Sequence, residues 1–256
     1  MCQLLGMNCN VPTDICFSFT GFSRRGGHTD HHGDGWGIAF FEGHGCRIFR
    51  DYLPSAESPI AELVQRYPIK STNVIAHIRK ATQGAVNLAN THPFLRELWG
   101  QYWIFAHNGN LEGLPNDFGD YYQPVGSTDS ERAFCLILER LRKRFSALPE
   151  HAQLCQALRE IATELAALGT FNFMLSNGDW LFAHCATHLH YIVRHAPFAQ
   201  AHLVDDDVTV DFSEVTTPND RVAVIATQPL TDNECWHKMA PGELICFRDG
   251  YPEPVA

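Results

Sequence analysis

The stretch TFNFMLSNGDWLFAHC, residues 170–185, decides the fold class because it consists of two β-rich halves around an Asn-Gly pair. Asn177 and Gly178 form the strongest short-range signal for a hairpin, since both residues accept the backbone angles of tight hairpin turns. The two halves are therefore predicted to pair as antiparallel strands.

Short apolar or alternating runs of the same kind recur on both sides of this hairpin and predict further strands. These runs are GWGIAFFE from Gly35, CRIFRDY from Cys46, NVIAHIR from Asn73, YWIFAHNG from Tyr102, LHYIVR from Leu189, VTVDF from Val208, RVAVIAT from Arg221 and ELICFRDGY from Glu243. We expect about nine or ten strands in all.

Caps and apolar periodicity predict three helices. The first begins at Ser58-Pro59, the second has the capping-box pair Thr128 and Glu131, and the third is closed by Gly169. Their apolar faces comprise Ile60, Leu63 and Val64 in the first, Phe134, Ile137, Leu138 and Leu141 in the second, and Leu154, Leu158, Ile161 and Leu165 in the third. The last two helices are expected to form a helical hairpin.

Helices in the middle of the chain and strands on both sides disfavour a parallel βαβ fold. They favour an α+β class in which antiparallel sheets pack face to face and helices cover the outer faces. No Pro-, Gly- or Ser-rich linker, internal repeat or low-complexity tract interrupts the sequence. We therefore expect a single domain over residues 1–256.

The composition excludes several classes of function. The chain has 256 residues and a net charge of −10, which would repel a nucleic-acid phosphate backbone. No apolar run reaches the roughly 18 residues that span a bilayer, and no signal peptide is recognisable. We expect a cytoplasmic protein without nucleic-acid or membrane partners.

The cysteines do not form a structural pattern. They are scattered, odd in number and without a CxxC pair, at positions 2, 9, 16, 46, 135, 155, 185, 235 and 246. This arrangement indicates neither a disulfide framework nor a zinc knuckle, and it suits a reducing compartment.

Cys2 is a candidate nucleophile because removal of the initiator methionine would give one residue both a thiol and a free α-amine. The amine, with an unperturbed pKa near 8, can then take the thiol proton directly or through a water. The alternative is a small buried hydrophobic residue.

A second candidate segment, AHIRKATQG, places Arg79, Thr82 and Gly84 where a strand turns into a loop. The planar guanidinium can hold a carboxylate at two points. A surface ion pair is the alternative for Arg79.

Two further segments carry candidate polar groups. In FAHNGNL, Asn108 and Gly109 are expected at a sharp turn. There the Asn108 side-chain amide and the exposed Gly109 N–H can hold an oxyanion. The alternative is an ordinary hairpin turn without a catalytic role. In GSTDSERAF, Asp129 can receive the ammonium group of an amino acid, or simply stabilise the N-terminus of its helix.

The segment RGGHTDHHGDGWG combines His28, Asp30, His31, His32 and Asp34 with five glycines. A metal site is one interpretation, but the spacing matches no known metalloenzyme motif, so no metal and no cofactor are predicted. Gly35 and Gly37 are instead expected to allow a close approach to the first strand, which carries Cys2.

The ordered set of Cys2, HIRKATQG, FAHNGNL and GSTDSERAF resembles the class II glutamine amidotransferases, whose glutaminase domains are N-terminal-nucleophile hydrolases. The run HGDGWGIAF and the chain length resemble the stand-alone, YafJ-like branch and the ergothioneine-pathway γ-glutamyl amidohydrolases. The resemblance is strong in the first half of the chain, and it implies a four-layer αββα fold.

The resemblance also implies roles for individual residues. Cys2 becomes the nucleophile with its own α-amine as base. By the same resemblance, Arg79 binds the α-carboxylate of the substrate and Asp129 binds its α-amino group. Asn108 and Gly109 form the oxyanion hole. In the loop after the arginine, Thr82 and Gly84 match the family. Two departures are Lys80, where the family often has Trp, and Gln83, where it often has His.

Three functions remain open from the sequence. The first is a glutaminase or amidotransferase that releases ammonia from glutamine, with a separate protein as a possible acceptor. The second is a γ-glutamyl amidohydrolase with a larger substrate. The third is a binding module that senses glutamine without catalysis. The sequence does not determine the oligomeric state.

Overall fold

The computed structural model describes residues 2–115 and 119–255. Met1, whose removal the sequence predicts, lies outside the described residues. The helices are α1 (Cys16–Arg24), α2 (Pro59–Arg66), α3 (Asp129–Arg144) and α4 (His151–Ala166). The strands are β1 (Gln3–Thr13), β2 (Trp36–Glu42), β3 (Gly45–Asp51), β4 (Ser71–Ile78), β5 (Phe94–Leu98), β6 (Gln101–Leu111), β7 (Gly169–Ser176), β8 (Leu181–His184), β9 (His190–His195), β10 (Gln200–His202), β11 (Thr209–Asp211), β12 (Arg221–Ala226), β13 (His237–Lys238), β14 (Leu244–Arg248) and β15 (Tyr251–Pro254).

Two antiparallel sheets form the centre of the molecule. The first has the order β13-β9-β12-β1-β4-β2-β3, and the second has the order β15-β14-β8-β7-β6-β5. Strands β10 and β11 pair separately as a small ribbon. The β1 strand, which follows Cys2, lies between β12 and β4 in the middle of the first sheet.

Three apolar cores divide the molecule into four layers. One core contains Phe105, Phe134 and Leu158 and fills the space between the second sheet and helices α3 and α4. Another contains Phe19, Ile38 and Ala61 and lies between the first sheet and helices α1 and α2. The third core lies between the two sheets and includes Leu4, Ala106 and Met174, among other residues. The predicted α+β class with αββα layers is therefore confirmed.

The hairpin at residues 170–185 is confirmed, but its connection is wider than a two-residue turn. The β7 and β8 strands pair antiparallel, and the last pair joins Ser176 to Leu181. The Asn177 side-chain oxygen accepts the N–H groups of Asp179 and Trp180 at 3.3 and 3.1 Å, and Gly178 has a positive φ of 97°. Asn177 thus stabilises the loop through its side chain.

The strand predictions agree with the structure where the apolar runs are long. Each of the ten predicted segments overlaps a strand, although fifteen strands occur within the described residues. Those without a clear sequence signal include β5, β10 and β13, which have two to five residues each.

The helix predictions need three corrections. Helix α1 was not predicted, because Ile15, the residue before its first residue Cys16, provides no side-chain cap. In α2 the buried residues are Ala61 and Val64, whereas Ile60 and Leu63 are 37% and 54% exposed. Helix α4 ends at Ala166, so the predicted closing glycine at position 169 is the first residue of β7.

No helix in residues 2–115 and 119–255 is both long enough and apolar enough to cross a membrane.

Candidate functional site

The Cys2 thiol lies at the end of the first sheet, beside the residues that follow β4. Gln3 pairs with Ile78, and the Lys80 N–H donates a hydrogen bond to Cys2 Sγ at 3.2 Å. The thiol in turn lies 3.4 Å from the Lys80 carbonyl oxygen. Burial raises the pKa of the Cys2 thiol, while the Lys80 N–H and the positive charge of Arg79 act in the opposite direction. The thiol therefore needs a base to become a nucleophile.

The Arg79 side chain is buried although it carries a charge. It is 2% exposed, and its guanidinium donates to the carbonyl oxygens of Gln83, Gly84 and Ala85 at 2.9 to 3.1 Å. It forms no ion pair with an acidic side chain in the part of the chain that the structure describes, so the surface ion pair considered as an alternative is absent there. Burial lowers the pKa of Arg79. A guanidinium has five N–H donors, and the three carbonyl oxygens leave some of them free for a ligand.

The loop after Arg79 is held at several points. Asp34 Oδ2 accepts the Ala81 N–H at 2.8 Å, and Gln83 Nε2 donates to Asn110 Oδ1 at 2.5 Å. Asn90 connects the loop to the start of α3, because its Nδ2 donates to the Ala85 carbonyl at 2.9 Å and its Oδ1 accepts the Ser127 N–H at 2.8 Å. The loop therefore has a defined position relative to both sheets.

Asn108 and Gly109 do not lie at a turn, which corrects the expectation from the sequence. They pair with Asn172 and Phe171 within β6, which continues to Leu111. The Asn-Gly pair stays extended because β7 provides a partner along its whole length.

The environment of this pair is tightly packed. A Cβ atom on Gly109 would collide with the Thr170 carbonyl oxygen and lie 2.6 Å from His107 Nε2. Asn108 is fully buried, and neither polar atom of its side-chain amide has a partner among the described residues. Buried amides are usually hydrogen-bonded, so Asn108 retains a donor for a ligand.

Asn108 and Cys2 belong to facing surfaces of the two sheets. Side chains alternate along a strand, and Ile104 and Ala106 of β6 belong to the core between the sheets, as does Leu4 of β1. The same alternation places Asn108 and Cys2 on the inner side of their sheets.

Asp129 is the first residue of α3 and is 6% exposed. Its Oδ2 accepts the Leu111 N–H at 2.8 Å, which joins the helix to the end of β6. It forms no ion pair with a cation in the described part of the chain. The helix cap is supplied by Thr128, whose hydroxyl accepts the Glu131 N–H at 3.2 Å. Asp129 is therefore not needed as the cap.

Three buried histidines, His77, His92 and His107, surround this end of the sheets, and none of them was among the predicted site residues. His77 Nε2 donates to the His107 carbonyl at 3.1 Å, and the His77 and His92 rings lie 4.1 Å apart. Burial lowers the pKa of His77 to about 3, and it also lowers the pKa of His92 and of His107. Two of the three lie within motifs quoted above, His77 in HIRKATQG and His107 in FAHNGNL, and this was the available sequence signal.

One cleft brings most of the predicted site residues together. It is lined, among other residues, by Cys2, Arg79, Thr82, Gly109 and Asp129. Two predicted residues do not line it. Gly84, with a positive φ of 75°, presents its carbonyl to Arg79, and Asn108 adjoins Gly109 in β6.

The glycine-rich loop has a role that differs from the prediction. Gly35 approaches the Asp51 carbonyl at the end of β3, and Gly37 approaches the His92 carbonyl, whereas β1 is separated from β2 by β4. The Gly35 carbonyl accepts the Arg79 N–H at 2.8 Å. Together with Asp34, this segment supports the Arg79 loop. Within the described residues, no metal-ligand cluster includes the histidines of this loop.

Comparison with known proteins places the chain in a family. The model of the family "Glutamine amidotransferases class-II" matches residues 1–256. The chain belongs to the class II glutamine amidotransferase family. Membership implies an enzyme that uses glutamine.

Bacterial relatives support this membership over nearly the whole chain. A Haemophilus influenzae protein named "Putative glutamine amidotransferase" is 58% identical over 250 residues, which cover 98% of this chain and 85% of the relative. The Escherichia coli protein named "Putative glutamine amidotransferase YafJ" is 57% identical over 248 residues, or 96% of this chain and 97% of the relative. This chain thus resembles stand-alone members of the class II family.

Solved structures show the same fold. A crystal structure of a "predicted glutamine amidotransferase" from Pseudomonas aeruginosa has a TM-score of 0.80 and 49% identity, and the match covers 99% of both chains. The glutamine phosphoribosylpyrophosphate amidotransferase of B. subtilis has a TM-score of 0.62 at 16% identity, over 98% of this chain and 48% of that one. The second match shows that a larger amidotransferase chain contains the same fold.

Proposed function

We propose that this class II glutamine amidotransferase hydrolyses the γ-amide of glutamine through a γ-glutamyl thioester on Cys2, after Met1 has been removed. One observation carries the proposal. Arg79 and Asp129 are buried, have opposite charges, and line the same cleft as the Cys2 thiol without an ion-pair partner in the described chain. A free amino acid has the complementary pair of charges.

The substrate would bind through its α-groups. Its α-carboxylate takes the donors of Arg79 that the loop carbonyls leave free, and its α-ammonium group lies against Asp129. Thr82 and the Gly84 segment form the loop side of this pocket, in line with the family resemblance. Because both charged ends are then fixed, the γ-amide would extend towards the thiol.

The reaction begins with proton transfer within Cys2. The α-amine takes the thiol proton, and the thiolate attacks the γ-carbonyl carbon to give a tetrahedral oxyanion. The C–N bond then breaks, the ammonium group returns its proton to the leaving nitrogen, and ammonia departs. Water adds to the thioester with the amine as base, which releases glutamate and restores the thiol.

Asn108 and Gly109 would stabilise the oxyanion by donating hydrogen bonds to it. The Asn108 Nδ2 is a buried donor that has no partner among the residues the structure describes, and Gly109 lines the cleft, where its backbone N–H would serve as the second donor. Removal of one such donor typically lowers the rate by about 100-fold to 1,000-fold. The His77 bond to the His107 carbonyl would position the peptide that leads into Asn108.

We further propose one domain over residues 1–256 and a cytoplasmic location, where the nine free thiols remain reduced. Ammonia either passes to a separate acceptor protein or leaves as a product. A larger γ-glutamyl amide as substrate, or glutamine binding without turnover, are alternative outcomes of the assay.

The test compares three proteins for ammonia release from glutamine and from a panel of γ-glutamyl amides. The wild type should turn over glutamine, Cys2→Ala should lose at least about 1,000-fold in kcat, and Cys235→Ala, at an exposed cysteine, should keep full activity. Full activity of Cys2→Ala would contradict the proposal. Turnover of γ-glutamyl amides alone, or binding of glutamine without ammonia, would replace it with one of the two alternatives.

A further inference from the structure

Three metal-ligating side chains meet on the outer side of the second sheet, outside the site described above. They are His151, Cys155 and Cys246. His151 Nε2 lies 3.2 Å from Cys246 Sγ and 3.4 Å from Cys155 Sγ, and the three atoms all lie within 4.8 Å of one another. Because His151 and Cys246 are 95 positions apart, the fold and not the sequence brings them together.

Regular secondary structure positions all three groups. His151 and Cys155 are four residues apart on α4, so they occupy the same face of the helix one turn apart. Cys246 lies in β14, where it pairs with Phe182 of β8 on one side and with Glu253 of β15 on the other. Ligands on a helix and a paired strand are held more precisely than ligands on loops.

The separations fit a tetrahedral metal ion. With Zn–S bonds of about 2.3 Å and Zn–N bonds of about 2.0 Å, neighbouring ligand atoms in a tetrahedron lie roughly 3.5 to 3.8 Å apart. The two nitrogen–sulfur distances here are within a few tenths of an ångström of that range. A small adjustment of the side chains would therefore place one ion in contact with all three atoms.

A carboxylate, an aromatic ring and a cavity surround the three ligand atoms. Glu253 Oε2 lies 3.9 Å from His151 Nδ1, the ring nitrogen that points away from the sulfurs. This separation is longer than a hydrogen bond, so Glu253 would have to move closer to accept the Nδ1–H and orient the other nitrogen as a ligand. The Trp180 ring lies 5.0 Å from the His151 ring. A cavity bordered by His151, Cys155 and Glu253 gives access from solvent.

We propose that His151, Cys155 and Cys246 bind one thiophilic metal ion, with Zn²⁺ as the favoured occupant and Glu253 as the orienting carboxylate. Both thiols lose their protons on binding, and the fourth coordination position faces the cavity and is filled by water. The ion links the first turn of α4 to β14. This proposal does not depend on the glutaminase proposal, because the two sites have no residue in common.

Metal binding to the reduced full-length protein tests this proposal. We expect one equivalent of Zn²⁺ by calorimetry, and Co²⁺ should give thiolate charge-transfer and tetrahedral ligand-field absorption bands. His151→Gln and Cys155→Ser should each weaken Zn²⁺ binding by at least about 100-fold, and Glu253→Gln by about 10-fold. Cys235→Ser, at an exposed cysteine away from the cluster, is the matched control and should bind as the wild type does.

Two results would overturn the proposal. One is metal uptake that is absent, or that is unchanged in both His151→Gln and Cys155→Ser. The other is a Cys155–Cys246 disulfide, found by peptide mapping of protein purified without reductant, together with failure of the reduced protein to bind Zn²⁺. His151→Gln alters a partly exposed side chain, so circular dichroism should show that its fold is retained.

Discussion

The two charged residues of the cleft are stabilised by backbone groups, not by each other. Arg79 uses three carbonyl oxygens of its own loop, and Asp129 uses the Leu111 N–H together with the N-terminus of α3. A buried charge that lacks a counter-ion is costly. A ligand with an ammonium and a carboxylate group would supply both counter-ions, so the site is suited to an amino acid.

The substitution Arg79→Lys tests this residue directly. Lysine cannot hold the carbonyls of Gln83, Gly84 and Ala85 and a substrate carboxylate at once. Loss of a hydrogen bond to a charged group corresponds to about 1.5–3 kcal/mol, so KM for glutamine should rise by roughly 10-fold to 100-fold with a smaller change in kcat. Steady-state kinetics measures both constants. Arg66→Lys, at an exposed ion pair, is the control and should leave KM unaltered. A normal KM in Arg79→Lys would mean that this arginine does not bind the substrate.

Sequence reasoning could find the residues whose chemistry is unusual for their position. Cys2, Arg79 and Asp129 were identified in this way. It named Asp34 only as a possible metal ligand and did not find Asn90 or the buried His92, because their roles depend on partners that only the fold brings close, such as the Ala81 N–H for Asp34.

At the scale of elements, long strands and helices with a cap or a clear apolar stripe were predictable, whereas short strands and the uncapped helix α1 were not. Helix α3 follows a capping residue and has a clear apolar stripe, whereas α1 starts at Cys16 after Ile15, whose side chain provides no cap. The expected turn at Asn108-Gly109 was wrong because local turn preference gives way to pairing along β7. Pairing between strands that are distant in sequence determined the structure here, and a single sequence does not show which strands pair.

The cap of α3 provides a test at this scale. The Thr128 hydroxyl accepts the Glu131 N–H, so Thr128→Ala should lower the free energy of unfolding by about 1 kcal/mol. Urea denaturation measures the change. Thr163→Ala, an exposed position inside α4, should alter stability by less than about 0.5 kcal/mol. Equal effects of the two substitutions would argue against Thr128 as a cap.

For the whole molecule, the strand and helix pattern predicted antiparallel sheets packed face to face with helices outside, and the family resemblance implied four layers. Neither gave the order of the strands. The first sheet places β1 between β4 and β12, which are far apart in sequence. The His151, Cys155 and Cys246 cluster depends on the same long-range pairing, through β14. Contacts of this kind carry no local sequence signal.

The buried histidines make the stability of the whole molecule depend on pH. Burial keeps the pKa of His77 at about 3 and holds those of His92 and His107 below the usual value, so all three stay neutral in the folded state. The unfolded chain takes up these protons near pH 6.5. Stability from this source is therefore complete above about pH 6.5 and declines as the pH falls below it, by up to about 1.4 kcal/mol per pH unit for each histidine that stays neutral in the folded state. For His77 this decline continues to about pH 3.

The substitution His92→Phe tests this dependence. It retains a ring beside His77 and Phe94 but removes one titrating group, so the slope of unfolding free energy against pH between about 4.5 and 6 should decrease by about 1.4 kcal/mol per unit. Denaturant unfolding at a series of pH values gives the slope. His28→Phe, at an exposed position, should leave it unaltered. An unchanged slope in His92→Phe would show that His92 is protonated in the folded protein.

The most direct test of the central claim is mass spectrometry of the active protein after reaction with a glutamine analogue that carries a γ-diazoketone. We predict one adduct per chain, located on Cys2 by peptide mapping, in a species that lacks Met1. An adduct on another cysteine, or full glutaminase activity in a species that retains Met1, would contradict the claim that Cys2 acts as an N-terminal nucleophile.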